Sequence, residues 1–334
     1  MIKPHDPGLL ITRVTAHEID LDAPHPQWSK FLADTFPDDD GVLAAYMQRV
    51  AGLALLGVVT EHVLPFFHGI GANGKTVFAN VLQGLLGEAD LGGYALSAPD
   101  GFLMAGRDGK HETEIARLRG ARLVICSEQT SDKRFDETRL KRMTGGDVLT
   151  GRFMRGDFFD FHPSHLILVL SNHLPAVREG GPAFWRRVRL IPFRHVVPED
   201  QRVSNHADQL LADEGPAILG WAVRGAAEVL ATGLADPAAV LAATEDYRIS
   251  EDTLAGFVRD ECLIGPHWWC KVANFRAAYE KHCAEMGAEP LSAKALGMRL
   301  TSEYPVSSSR HTRLKVRTYV GIALQGPHDR GGDR

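Results

Sequence analysis

The sequence predicts an α/β fold built on a largely parallel sheet, and three features predict it. Short apolar runs that read as buried strands alternate with stretches of helical periodicity. One strand-to-helix junction, Gly69-Ile70-Gly71-Ala72-Asn73-Gly74-Lys75-Thr76, has the spacing G-x-x-x-x-G-K-[ST]. Two further apolar runs end in polar residues, Ser127-Glu128 and Ser171-Asn172, where an α/β sheet presents its chemistry.

In chain order, residues 1–26 lack periodic pattern, end in Pro24-His25-Pro26, and read as an arm or linker. Residues 27–62 read as a helical segment. A helix over Trp28 to Phe36 puts Trp28, Phe31, Leu32 and Phe36 on one face, and Asp38-Asp39-Asp40 places acids ahead of a second helix, Val42 to Leu56. Residues 63–204 read as the α/β core. Its strands are Val63 to His68, Arg122 to Ser127, Leu166 to Ser171 and Arg189 to Phe193, with a helix over Thr76 to Leu86. Asp147 to Arg155 and Phe158 to His162 form a hairpin expected to turn at Gly156-Asp157. Residues 205–250 read as an Ala- and Leu-rich helical extension, broken between Gly233 and Pro237. Residues 251–325 combine helices Asn274 to Met286 and Ser292 to Thr301 with a basic strand pattern, Leu314 to Ile322. Helices followed by a basic β-wing suggest a winged-helix module. The polar, Gly-rich residues 326–334 are expected to be disordered.

The bulk numbers narrow the function. The 334 residues carry a net charge of −5, so no global positive field advertises a nucleic-acid partner and any DNA contact must be a local patch. The longest apolar run, Val50 to Val59, is too short to span a bilayer, and the first residues show no signal-peptide pattern. With four scattered cysteines, this makes a cytoplasmic protein the expectation. Cys262, His267, Cys270 and Cys283 share a segment but lack paired C-x-x-C knuckles, so buried thiols are expected there rather than a metal site.

The Gly69 to Thr76 stretch carries the most specific chemistry. Its glycines let successive backbone N–H groups turn toward phosphate oxygens, and the following helix N-terminus adds its dipole. Gly69, Gly71, Asn73 and Gly74 form the cradle, Lys75 reaches the β- and γ-phosphates, and Thr76 holds Mg²⁺. Glu128, at the end of a buried strand, is the candidate base or water-orienting acid and a second candidate for Mg²⁺ handling. Asn172 can orient water without adding charge; as a bare structural element it is a turn-initiating residue before His173-Leu174-Pro175. Arg186 and Arg187 precede a strand, and either can serve as an arginine finger or simply solvate the strand entrance.

Together these segments resemble the superfamily 3 helicase module of phage and plasmid primases, related to the poxvirus-type primase-helicases. The resemblance runs from about Trp28 to Ile322. It is strongest over Gly69 to Thr76, Leu118 to Glu128, Lys141 to Arg152, Ser171 to Pro175 and Phe184 to Phe193. It implies an AAA+ P-loop ATPase that assembles, through residues 27–62, into a hexameric homo-oligomer and translocates on single-stranded or forked DNA. ATP and Mg²⁺ are the implied ligands. Glu128 falls on the second acidic position of Walker B, Asn172 on sensor 1, and Arg187 or Arg186 near the trans-acting arginine. The hairpin becomes the DNA-tracking element, with Arg152 and Arg155 as contacts and Lys141 and Arg142 as weaker ones. Ser127 stands where many helicases have Asp, and Gly180-Gly181-Pro182-Ala183 lacks an acid ahead of Phe184-Trp185. A separate primase or polymerase is the expected partner, no membrane is involved, and the expected setting is a bacterial host carrying a phage, prophage or plasmid. The alternative is an ATP-dependent origin-binding initiator or loader that assembles on DNA without unwinding it.

Overall fold

A computed structural model describes residues 6–37, 40–106, 112–128, 134–177, 180–286, 288–310 and 315–326. Asp38, Asp39, Leu314 and the tail 327–334 therefore lie outside the described residues.

The elements run α1 (Pro26–Thr35), α2 (Val42–Leu55), β1 (Leu64–His68), α3 (Lys75–Leu86), β2 (Ala95–Ser97), α4 (Glu112–Ala116), β3 (Leu123–Glu128) and α5 (Glu137–Met143). There follow β4 (Leu149–Gly151), β5 (Phe159–Phe161), β6 (Leu166–Ser171), α6 (Pro182–Trp185), β7 (Val188–Pro192), α7 (His206–Thr232) and α8 (Ala238–Glu251). The chain ends in α9 (Thr253–Glu261), β8 (Cys262–Lys271), α10 (Val272–Glu285), α11 (Ala293–Glu303), β9 (Ser307–Arg310) and β10 (Arg317–Leu324). They divide into two compact units, one reaching Ala176 and resuming over Gly181–Glu245, the other made of Val177–Gly180 and the chain from Asp246 onward.

The first unit is an α/β structure around a five-stranded sheet ordered β2-β3-β6-β1-β7, every pairing parallel. All six residues of β6 are buried. This is why it reads in sequence as an unbroken apolar run rather than an alternating one. On one face, aromatic rings tie the sheet to the helices. Trp28 packs on Phe31, Phe78 and Trp221 with centroids 5.2–5.4 Å apart, and Phe67 meets Phe78 and Phe193. The apolar face expected of α1 is buried as a set: Trp28, Phe31, Leu32 and Phe36 are at most 7% exposed.

Helix α1 opens with Pro26, and its orphan N–H groups are satisfied from far away in sequence. The Glu214 carboxylate of α7 accepts from Gln27 N and Trp28 N, both at 2.9 Å. Helices α2 and α7 approach at backbone distance. A Cβ added at Gly52 would lie 2.1 Å from Ala226 N, and one at Gly225 would lie 2.0 Å from Gln48 O, so only glycine fits at this crossing. The leading arm is held along this unit: Val14 N donates to Gly92 O, Ala16 N to Leu85 O and Asp20 N to Pro216 O.

Strands β4 and β5 form the two-stranded antiparallel hairpin, but shorter than the pattern predicts. The expected turn at Gly156-Asp157 is displaced. The tight turn is closed by Gly156 N donating to Phe153 O, with Arg155 in the left-handed region at φ 60°. Glycine is favoured at the fourth position of a turn as well as at its corner, which misdirects a sequence-based placement.

The second unit orders its elements helix, strand, helix, helix, strand, strand. Its sheet is β8-β10-β9 and antiparallel throughout. Phe257, Phe275, Tyr279, Leu296, Leu300 and Ile322 form its core, together with the three thiols Cys262, Cys270 and Cys283. Burial pushes the Cys262 thiol up to about 12, which makes it a packing group rather than a nucleophile. Strand β8 was not visible in sequence, where Gly265-Pro266 interrupts the pattern. Among the described residues no helix is long and apolar enough to cross a membrane.

His165, immediately before β6, gives a pH test of the core. It is buried; Nε2 donates to Met143 O at 3.1 Å, and Nδ1 has no hydrogen-bonding partner among the described residues. Protonation would place a cation and an unmatched N–H in the interior, so burial pulls its pKa from 6.5 to about 4. The folded state then binds fewer protons than the unfolded one between those values. Stability is full above pH 6.5, falls as pH drops from 6.5 toward 4, and levels off below. At pH 5 the expected loss is about 2 kcal/mol from this residue. Urea denaturation at pH 7 and pH 5 measures it, and His165→Gln, which keeps a donor for Met143 O, should flatten the dependence.

Candidate functional site

The site begins where β1 ends. The register pairs His68 with Ser171 and with Pro192, and Ser171 with Glu128, so β3, β6, β1 and β7 all finish in one row. Gly69 and Asn172 follow that row directly. The sheet therefore delivers the glycine loop, Asn172 and Glu128 to one carboxyl edge, where α/β sheets bind ligands. The Asn172 strand lies between the loop strand and the acid strand. Glu128 thus starts about 10 Å from His68, two strand spacings away, with Asn172 between them. The Glu128 side chain lies outside what is described.

The loop from Gly69 to Gly74 is shaped by its backbone. Gly71, Ala72 and Gly74 all have positive φ, at 115°, 47° and 84°. A Cβ at Gly69 would fall 2.2 Å from Asn73 Nδ2 and 2.3 Å from Phe193 O, so the loop passes too close to its neighbours for any other residue. Helix α1 braces it from below, with Gly74 against Thr35 and Phe31. On the far side Val197 N donates to Ala72 O at 2.8 Å. Helix α3 starts at Lys75, so its free N–H groups open toward the loop.

Lys75 is folded onto this loop. Its Nζ donates to Gly69 O at 2.6 Å and Asn73 Oδ1 at 2.9 Å, while Asn73 Nδ2 donates to Phe193 O at 3.0 Å. Lys75 and Asn73 are 4% and 3% exposed, and burial lowers the lysine to about 8. The ammonium is thus held by two weak oxygen acceptors in a desolvated place, ready to exchange them for anionic oxygens. Thr76, next on the helix, is exposed beside the loop. The donor set suits a triphosphate with Mg²⁺: backbone amides, one desolvated cation and a hydroxyl, leaving most metal ligands to phosphate and water.

His68 was not singled out from sequence and belongs to this cluster. Its ring hydrogen-bonds the backbone of Asn172 and sits near Lys75; burial first, then the Lys75 charge, lower its pKa. A polar residue closing an apolar strand directly before the loop is the only signal the sequence offered.

The remaining residues fall into two other places. Arg186 and Arg187 precede β7 at the opposite edge of the sheet from the loop, since Val188 pairs with Leu64 and Pro192 with His68. Some six residues of extended chain, about 20 Å, separate them from their own loop. Arg187 is turned inward, 7% exposed, with Nη1 donating to Ala183 O at 2.5 Å. Arg186 is exposed. The hairpin tip carries Arg152 and Arg155, both exposed, among exposed Phe153, Met154 and Phe158. Arg152 lies over the Phe158 ring at 4.6 Å, and Phe153 stacks on Phe159. Arg142 is exposed on α5, whereas Lys141 pairs with Glu137 at 3.8 Å.

The chain is an α/β protein with a parallel sheet and a glycine-rich loop at its carboxyl edge, and its relatives carry helicase names. Residues 67–187, less than half of the chain, match a family of unknown function (DUF5906). The chain is a distant homologue of proteins from large DNA viruses. It is 28% identical over 214 residues to "Putative helicase 022R" of Frog virus 3 (isolate Goorha), covering 58% of this chain and 21% of that protein. It is 28% identical over 194 residues to "Putative helicase 121R" of Invertebrate iridescent virus 3, covering 55% and 20%. The chain thus spans about a fifth of the length of the curated relatives it matches. In fold it is similar to the C-terminal region of NrS-1 in an apo form, at a TM-score of 0.56 and 12% identity over 93% of this chain and 79% of that one. A second apo structure of that region gives 0.52 and 13% over 92% and 77%.

Proposed function

We infer that this chain is the ATP-driven motor of a superfamily 3 DNA helicase with an AAA+ core, working as a homo-oligomeric, ring-shaped assembly in DNA replication. The observation that carries this reading is the shared carboxyl edge of the sheet: glycine loop, Asn172 and Glu128 on three neighbouring strands in register. The names of the viral relatives support the same class.

In the proposed mechanism the loop amides and Lys75 bind the phosphates of ATP, and Lys75 leaves Gly69 O and Asn73 Oδ1 to do so. Thr76 and Glu128 are the groups to hold Mg²⁺, which neutralises phosphate charge. Glu128 and Asn172 orient the attacking water, and Asn172 is steadied from behind by His68. Arg186 of a neighbouring protomer stabilises the charge developing on the transferred phosphoryl group. The hairpin grips single-stranded DNA through phosphate contacts by Arg152 and Arg155, and Phe153 and Phe158 offer rings on which bases stack. Arg142 is the remaining basic candidate; Lys141, already paired, contributes less. We further propose that the second unit is a winged-helix module, a reading supported by its element order.

ATP-dependent strand displacement on a forked DNA tests the motor. Displacement with ATP, and none with a non-hydrolysable analogue, is the expected result. Single-stranded DNA that stimulates hydrolysis without any displacement would favour the initiator or loader instead.

Arg155→Ala tests the hairpin. Basal hydrolysis should stay within about twofold, because this side chain is exposed and has no hydrogen bond or ion pair among the described residues. Stimulation by single-stranded DNA should fall at least about tenfold, the equivalent of losing one charge-assisted phosphate contact. Unchanged stimulation removes Arg155 from the DNA path.

A further inference from the structure

The second unit contains a cavity of about 370 Å³ that the motor reading does not use. The start of α10 forms one wall with Val272 and Ala273. The start of α11 forms another with Ala293 and Leu296, and Val316 and Tyr319 of the β10 segment close the third. The walls are apolar and the rim is cationic: Lys271, Arg276 and Arg317. These three do not stand alike. Arg276 is engaged, with Nε on Glu280 Oε1 at 2.5 Å and Nη1 on Leu291 O. Lys271 and Arg317 have no side-chain partner among the described residues.

We propose that this cleft is a docking site for an acidic peptide segment of a partner protein, which inserts an aliphatic or aromatic side chain between α10, α11 and β10 and sets its carboxylates against Lys271 and Arg317. Two uncompensated cations flanking an apolar cavity, in a chain whose overall charge is −5, complement an anionic segment with an apolar anchor. Duplex DNA suits the place less well. Helix α11 carries two cations, and Arg299 is committed to Asp252 at 2.7 Å and Glu303 at 2.7 Å, leaving Lys294 alone on that helix. A concave apolar floor also has nothing to offer a phosphate. The chain's own last residues, Pro327-His328-Asp329-Arg330-Gly331-Gly332-Asp333-Arg334, balance two acids with two arginines and lack a large apolar side chain.

The test uses the full chain and a defined probe, a fluorescein-labelled peptide with a Leu-Phe pair between flanking aspartates, read by anisotropy. The expected result is saturable binding that weakens with added salt. Lys271→Glu with Arg317→Glu should weaken it about tenfold. Ala293→Trp, from an exposed position at the mouth, should abolish it while leaving the melting temperature unchanged. A peptide with lysines for the aspartates should fail to bind. Four outcomes overturn the proposal: no binding of the acidic peptide, equal binding of the lysine peptide, no effect of either variant, or a rim that binds a labelled DNA duplex but not the peptide. A change of oligomeric state in the double variant, without the peptide effect, would assign the face to a second copy of this chain and overturn it as well. ATP hydrolysis should be normal in both variants, so this outcome and that of the motor reading are separable.

Discussion

Lys75→Ala is expected to lower ATP hydrolysis by at least about a thousandfold while leaving the fold intact. On the proposed reading the lysine is the cation that the glycine loop itself offers to the phosphates, and its Nζ already lies against Gly69 O and Asn73 Oδ1 inside that loop. Its stability ledger runs the other way. Burial lowers the ammonium from 10.5 to about 8, so the folded state disfavours the charge. Deleting it removes that desolvation cost and forfeits two hydrogen bonds of about 1 kcal/mol each, two opposed effects that leave little net change. Phosphate release and a melting curve on the same preparation should therefore separate, with activity lost and melting temperature held within a few degrees. Near-normal hydrolysis in this variant would mean that the Gly69–Thr76 loop is not the phosphate cradle.

The parts of this site that sequence exposed are those whose cause is local. A glycine loop between a strand and a helix is written in consecutive residues, and so is β6, whose burial on both faces demands an unbroken apolar run. What sequence hid depends on residues far apart. The strand order places Asn172 between the loop and Glu128, yet no local pattern encodes which strands become neighbours. The α1 cap comes from Glu214, 187 residues beyond Gln27, and Asn73 is locked by Phe193, 120 residues on. Strand β2 has only three residues, too few for any periodicity to register. The two arginines before β7 were indistinguishable in sequence. They differ because Val188 begins a buried strand, which turns Arg187 toward Ala183 O and leaves Arg186 outside.

That difference sets the second large effect. Arg186→Ala should cost about a thousandfold in hydrolysis or more, the range of an arginine finger, with no loss of stability from an exposed side chain. Arg187→Ala should do the reverse in part, lowering stability because it empties a buried, hydrogen-bonded position. The distance of about 20 Å from Arg186 to its own loop makes the test sharper. On the proposed motor reading, a guanidinium held away from its own loop would serve the next protomer's nucleotide, and each site in a closed ring would be shared by two chains. Mixing Lys75→Ala with Arg186→Ala protein should then regenerate complete sites wherever an intact lysine faces an intact arginine, about a quarter of the sites at equal ratio and random assembly. Two inactive preparations that together hydrolyse ATP would place the two side chains in one site across an interface. A mixture as inactive as its components would rule out Arg186 as a group supplied across the interface.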